Sequence, residues 1–423
     1  AGEQMEDRED HDSKERWLWK TYGEGVRDAL KSQPERRFRV IHRFHQTGMN
    51  DILREWRQFK EGTFELSFKY AIAHMYSIPN PQFIQPALPN LNPNLRSWLT
   101  VRNDDIYSFR WADPDYARAF IRNIPGPDKI AGFYMGPDGF NWVRDFLTTE
   151  PGLHRQTVMQ KQWMSFLLWG RLSYEPNLSD VLLRQIVAQR FPEAPSSNLT
   201  TAWSEASKVF PEITRFAWGD IDLRWFPEAC LSHPRYKGFY TVRHFIEGTT
   251  MPGSGVVDIL TWRERSLGGQ TNEGIAPVQL AQSLKSHAQK ALAELPALRK
   301  TEGDNVELRL TLGDIEAMAH LGNYYGEKIL GAADLALYDK VGDARQKASA
   351  IAHLEAARTH WQSYAAVYSK QYKPQLLNRV GFVDIPALIT KVEADIQIAK
   401  DWKPGTLVKA QPDDKRGDTP FKP

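Results

Sequence analysis

The stretch Trp98-Leu99-Thr100-Val101-Arg102-Asn103-Asp104-Asp105-Ile106-Tyr107 decides how the chain is to be read. A β-prone run over 99–101 stops in four polar residues, Arg102, Asn103, Asp104 and Asp105. A buried strand that ends in charge is how a (β/α) barrel presents catalytic groups at the carboxyl ends of its strands. Side chains alternate between the two faces of a strand, so Asp104 shares a face with Arg102, and Asp105 with Asn103. The two carboxylates cannot face one site if the strand runs on through them.

Outward from this run, strands and helices alternate. Helical spacing covers 13–30, with Ser13 as cap and Trp17, Leu18, Tyr22, Val26 and Leu30 near one period. Strands are predicted at 38–44, 64–73 and 129–135. Asn50 is expected to cap a helix bearing Ile52, Leu53, Trp56 and Phe59. Asp113, with Pro114 at the first helical position, is expected to cap another. The connection before Trp98 carries Pro79, Pro81, Pro86, Pro89 and Pro93, too many for a helix and enough for a functional loop.

Such alternation is the pattern of a parallel sheet with helices packed outside it. The fold class expected is therefore α/β. Four strands make half of a (β/α) barrel, which needs about 250 residues when complete. The expectation is that 1–155 is the second half of such a barrel, its first half lying upstream. Beyond it the period becomes helical at 155–169, 178–191, 276–296, 311–339, 343–370 and 385–400. An α-helical C-terminal domain is expected over 156–403 and a disordered tail over 404–423. The Trp-rich region 200–270 has no secure order, and no repeat of fixed period is present.

Composition narrows the function classes. The 423 residues are 41% hydrophobic and 25% charged, as in ordinary globular proteins, with a net charge of +2. Near-balanced charge argues against nucleic acid as the main partner. No apolar run approaches the roughly 18 residues of a membrane span. A single cysteine, Cys230, excludes an internal disulfide and a cysteine-based zinc cluster. It leaves the compartment open, with a periplasmic or secreted location preferred. The 14 tryptophans suit large helical cores, and some could stack on sugar rings.

Each strand end supplies groups that could bind a polar ring. They are His42, Arg43 and His45; Lys69, His74 and Tyr76; Arg102, Asn103, Asp104 and Asp105; then Tyr134, with Asp138 and Trp142 just beyond. Converging at one mouth, such a set suits an anionic, ring-shaped substrate. A metal set could be drawn from His42, His45, His74 and Asp104, but no spacing is diagnostic. No metal or cofactor is expected. A serine nucleophile elbow, a phosphate loop and a dinucleotide fingerprint are absent from the sequence.

Two segments carry a family resemblance. Gly136-Pro137-Asp138-Gly139-Phe140-Asn141-Trp142 precedes a helix ending Trp169-Gly170-Arg171-Leu172-Ser173-Tyr174-Glu175-Pro176-Asn177-Leu178-Ser179. Together they resemble the α-glucuronidases of glycoside hydrolase family 67, over about residues 130–195. The resemblance implies a (β/α) barrel followed by a helical domain. It also implies inverting removal of glucuronic acid from xylan fragments, with acid and base carboxyls on late barrel strands. It puts Asp104 where a base carboxylate is expected. A second base-side carboxylate would fall near His74, where this chain departs from the pattern. Strand order alone offers Glu3 as general acid, and Asp105 is a further candidate carboxyl.

An inverting enzyme holds a protonated carboxyl and a water-activating carboxylate about 6.5–9.5 Å apart. Arg102 beside Asp104 would keep it ionised. Arg43 and Lys69 could bind a uronate carboxylate, and Trp142 could stack on a sugar face. The reading reached is a glycosidase of α-glucuronidase-like type acting on an acidic oligo- or polysaccharide, with a homodimer allowed. A non-catalytic carbohydrate-binding or scaffold piece, and a metal-dependent lyase or hydrolase, are its rivals.

Overall fold

The computed structural model describes residues 10, 13–43, 48–69, 76–80, 96–102, 106, 108–126, 128–136, 147–153, 156–218, 225–234, 236–271, 273–377 and 380–407. Four strands, β1 (Phe38–Arg43), β2 (Gly62–Lys69), β3 (Ser97–Arg102) and β4 (Ile130–Gly136), form a parallel sheet in sequence order. All four were legible as strands; β2 begins two residues before the predicted 64–73, of which 70–73 lie outside the described residues. Among the described residues the sheet is open and does not close into a barrel.

Before and between the strands lie α1 (Ser13–Leu18), α2 (Glu24–Ser32), α3 (Met49–Trp56) and α4 (Pro114–Arg122). The predicted 13–30 helix is thus split by a π turn over Trp19–Gly23. A Cβ on Gly23 would lie 2.2 Å from Trp19 Cε3, so only glycine admits the indole there. Gly48, not Asn50, precedes α3, and Asn50 lies within the helix. Asp113 does cap α4, accepting from the Asp115 amide at 3.1 Å, with Pro114 at the first position. The helical side of the sheet buries Leu66, Leu99 and Ile130 against Ile52, Trp56, Ala117 and Phe120.

The remainder is largely helical: α5 (Val158–Lys161), α6 (Trp163–Tyr174), α7 (Asp180–Arg190), α8 (Ser196–Ser207), α9 (Val209–Phe216), α10 (Val242–Glu247), α11 (Ile259–Leu267), α12 (Pro277–Arg299), α13 (Val306–Val341), α14 (Ala344–Gln371) and α15 (Ile389–Asp401). The helix predicted over 155–169 begins only at Val158, behind a Thr157–Gln160 capping box. It is interrupted at Gln162, whose side chain instead donates to the Phe109 carbonyl at 2.7 Å. A hairpin of β5 (Gln375–Leu377) and β6 (Gly381–Val383) lies in a region where no strand was predicted.

α13 is apolar around nearly its whole circumference, as a helix enclosed by others must be. Gly322 and Gly326 face α12 at contact distance, and Gly331 faces α14. Lys328, wholly buried, pairs with Asp395 of α15 at 2.8 Å and donates to the Tyr240 carbonyl. Residues 404–407, placed in the tail by composition, are docked on α13. The amides of Gly405, Thr406 and Leu407 all donate to Asp339, two of them to its side chain. No helix among the described residues is long and apolar enough to cross a membrane.

Candidate functional site

Strand alternation gives the sheet two unlike faces. In β2, positions 64, 66 and 68 are apolar, whereas 63, 65, 67 and 69 are polar. Registry extends that division across the sheet: Arg43, Ser67, Trp98 and Gly132 form one row, and Lys69, Thr100 and Tyr134 the next. Partners in register share a face, so the first row and Tyr134 lie opposite the helix-packed side.

The face so formed is polar and partly open, with Ile41 43% and Tyr134 42% exposed. At its centre Glu65 is 1% exposed. Its Oε2 accepts from the Trp98 indole at 2.6 Å and lies 3.5 Å from Arg39 Nε. The Arg39 guanidinium also sits 5.9 Å from the Trp98 ring centre. Among the described residues, the buried Glu65 Oε1 has no hydrogen-bond partner. A buried carboxylate oxygen left unsatisfied costs free energy unless water or a ligand supplies a donor. Gly132 makes this arrangement sterically feasible, because a Cβ there would come within 2.7 Å of Trp98 Cζ3. The Tyr134 hydroxyl lies 3.4 Å from Ser67 Oγ across the next row.

Beyond β3 the chain becomes a buried strap. Residues 108–113 are all buried, and surrounding elements meet many of their polar groups, although Arg110 Nε has no partner among the described residues. Glu228 accepts from the amides of Ser108, at 2.6 Å, and Phe109, at 3.2 Å. The buried Lys161 ammonium donates to the Ser108 carbonyl and stands 4.1 Å from the Tyr372 ring. Burial holds the Lys161 pKa well below the ordinary lysine value. Arg110 pairs with Asp314 at 2.6 Å, and the Trp203 indole donates to the Arg110 carbonyl at 2.7 Å. The Ala112 amide donates to Ser207 Oγ at 2.9 Å. Asp113 meets Lys208 Nζ at 3.0 Å, although burial still raises the Asp113 pKa.

The sequence-derived candidates separate on this framework. Arg43 falls on the polar face of the sheet, as does Tyr134. His42 does not. Its Nε2 bonds Glu15 Oε2 at 2.8 Å, and its ring packs edge-on to Trp56 at 5.3 Å, on the helical side. Alternation along β1 is the cause, since adjacent residues cannot share a face. Tyr76 is also withdrawn from the mouth. It is 2% exposed, packs 4.7 Å from Trp111, and its hydroxyl accepts from the Trp169 indole at 3.1 Å.

Lys69 and Arg102 are located as the last positions of β2 and β3. Glu3, His45, His74, Asn103, Asp104, Asp105, Asp138 and Trp142 lie outside the described residues. Among the described residues no group of three or more His, Cys, Asp or Glu side chains is placed to hold a metal ion. Reading strand ends alone missed Arg39, Glu65 and Trp98, which lie lower on the polar face. A glutamate between Phe64 and Leu66 was the available signal.

No protein-family model matches the chain, and no curated protein matches it. Among solved structures, a GH138 enzyme targeting pectin rhamnogalacturonan II is similar in fold, with a TM-score of 0.76 at 15% identity. The match covers 92% of this chain and 49% of that one, so the chain spans about half the length of the structure it resembles. The likeness is one of fold, a parallel α/β sheet followed by a helical region. The family likeness read from residues 136–179 pointed to family 67, whereas the structural likeness is to family 138.

Proposed function

We propose that the protein is a glycoside hydrolase of an acidic glycan, with its reactive site at the carboxyl ends of β1–β4. The observation that carries this reading is the open polar sheet face, where Glu65, with one oxygen that has no partner among the described residues, shares a face with Arg39, Trp98 and Arg43. An arginine fork suits a uronate carboxylate, and aromatic faces suit the C–H surface of a sugar ring. The similar structure targets rhamnogalacturonan II, a galacturonan by name and thus an acidic polysaccharide.

In the mechanism proposed, Asp104 is the base that activates water. It follows Arg102, the last residue of β3, by two positions in the sequence. The partner acid is one of the two remaining candidate carboxyls, Glu3 or Asp105. Separation of the two carboxyls by a water's width would give inversion at the anomeric carbon. Glu65 is a positioning residue, orienting Trp98 and Arg39 beneath the sugar. An α-linked glucuronate is the narrowest form of the substrate proposed.

The test is hydrolysis of rhamnogalacturonan II oligosaccharides and of glucuronoxylan fragments by the full chain and its variants. Asp104→Asn should lower kcat by about 10²–10⁴-fold with an unchanged unfolding midpoint. Arg43→Ala should raise KM for the acidic oligosaccharide more than it lowers kcat. Full activity in Asp104→Asn would overturn the assignment. Retention of glycan without any hydrolysis would favour the non-catalytic binding reading.

A further inference from the structure

A second concave site lies on the outer side of the helices, away from the sheet's polar face. It is a cavity of about 210 Å³ among α4, α6, α7 and α8. Pockets for drug-sized ligands run to about 300–1,000 Å³, so this one suits a single ring. Its apolar wall is made by Met164, Leu183 and Trp203, and its rim is charged and hydroxylated. One apolar side and a polar rim match a pyranose, which has a C–H face and a belt of hydroxyls.

The charges at the rim are unequally committed. Lys208 is held by Asp113 at 3.0 Å and Ser204 at 2.8 Å. Asp180 is paired with Arg118 at 2.5 Å. Glu205 is paired with His287 at 2.7 Å. Asp115 is shared more loosely between Arg118, at 3.4 Å, and Lys208, at 3.6 Å. Arg184 lines the same cavity and has no hydrogen-bond or ionic partner among the described residues. An uncommitted guanidinium over a ring-sized cavity selects a ligand with a planar anion, because it can donate two parallel hydrogen bonds to a carboxylate.

We propose that this cavity binds a pyranose bearing a carboxylate, a uronate unit, with its carboxylate on Arg184 and its hydroxyls on Lys208, Asp115 and Thr201. The site is non-catalytic. It would hold an acidic glycan, or a sugar released from one, away from the sheet. Because the readout is binding, the proposal stands or falls separately from hydrolysis at the sheet.

Galacturonate and galactose, which differ in the carboxylate, are the probes. Each is titrated into the full chain and followed by saturation-transfer NMR. Galacturonate should bind in the millimolar range and about tenfold more tightly than galactose. Arg184→Gln should weaken galacturonate about tenfold and leave the unfolding midpoint unchanged, since the side chain is exposed and unpaired. Tyr134→Ala, on the sheet face, should leave this binding as it was. No saturation transfer at about 20 mM galacturonate, equal binding of galactose, or wild-type binding by Arg184→Gln would each overturn the proposal. So would loss of the signal in Tyr134→Ala, which would place the bound sugar at the sheet.

Discussion

Replacing Asp314 by alanine should release the strap behind the candidate site. Asp314 is fully buried and accepts from four donors: the Arg110 guanidinium at 2.6 Å, the Arg110 amide at 3.0 Å, Gln371 Nε2 at 2.9 Å and the Tyr372 hydroxyl. Arg110 itself is 3% exposed. Removing its partner leaves a buried cation without a counter-charge, which costs about 3–5 kcal/mol. Each further buried donor left unpaired adds about 1–3 kcal/mol, though such losses within one network do not sum. A loss of at least about 4 kcal/mol is expected from Asp314→Ala.

Urea unfolding followed by tryptophan fluorescence would measure it. The double variant Arg110→Met, Asp314→Leu should recover the share of that loss due to the stranded cation, because an apolar pair needs no desolvated charge, while the position 110 amide, Gln371 and Tyr372 stay without their acceptor. Amide hydrogen exchange over 108–113 should quicken in Asp314→Ala and less so in the double variant, where the position 110 amide still lacks its acceptor. The reasoning fails if Asp314→Ala costs less than about 1 kcal/mol, or if the two single losses simply add in the double variant.

Three other outcomes follow from the structure. Gly23→Ala puts a methyl against the Trp19 ring, so overpacking should cost about 1–3 kcal/mol, read as a lowered unfolding midpoint. Burial, helped by Lys237 and Lys328, lowers His244 from 6.5 to about 4. Its contribution is present above 6.5 and is lost as pH falls towards 4. The shift corresponds to a ceiling of about 3 kcal/mol, reduced to about 1–2 kcal/mol for a partly exposed ring. His244→Gln, which can still accept at the Thr241 capping box, should flatten the stability profile between those values. His287 behaves oppositely, because Glu212 and Glu205 outweigh its burial and raise its pKa. Its contribution is complete below 6.5 and is lost as pH rises through the raised value. An NMR titration of the His287 ring that gave a midpoint at or below 6.5 would contradict this.

The strands and most helices were legible because their periods are local. β1 and β2 mix or alternate apolar and polar residues, β3 and β4 carry short apolar runs, and α12 to α14 repeat apolar side chains at helical spacing. Cap residues such as Asp113 and Ser179 act on amides two residues away, so neighbours in sequence suffice to identify them. The breaks were not legible. The π turn at 19–23 depends on where the Trp19 ring lies, and the interruption at Gln162 depends on the distant Phe109 carbonyl.

The candidate site divides along the same line. Chain order alone determined that polar residues cluster at strand ends, since each strand's last positions are read directly. Which of them share a face was a matter of registry and of what packs behind the sheet. His42 is drawn to Glu15 and Trp56 on the helical side, and Tyr76 to Trp111 and Trp169. Glu65 meets Trp98 only because β2 and β3 pair in one particular register, with Gly132 leaving room for the ring. Periodicity is a property of neighbours along the chain, whereas a binding face is made by residues far apart in sequence that packing brings together.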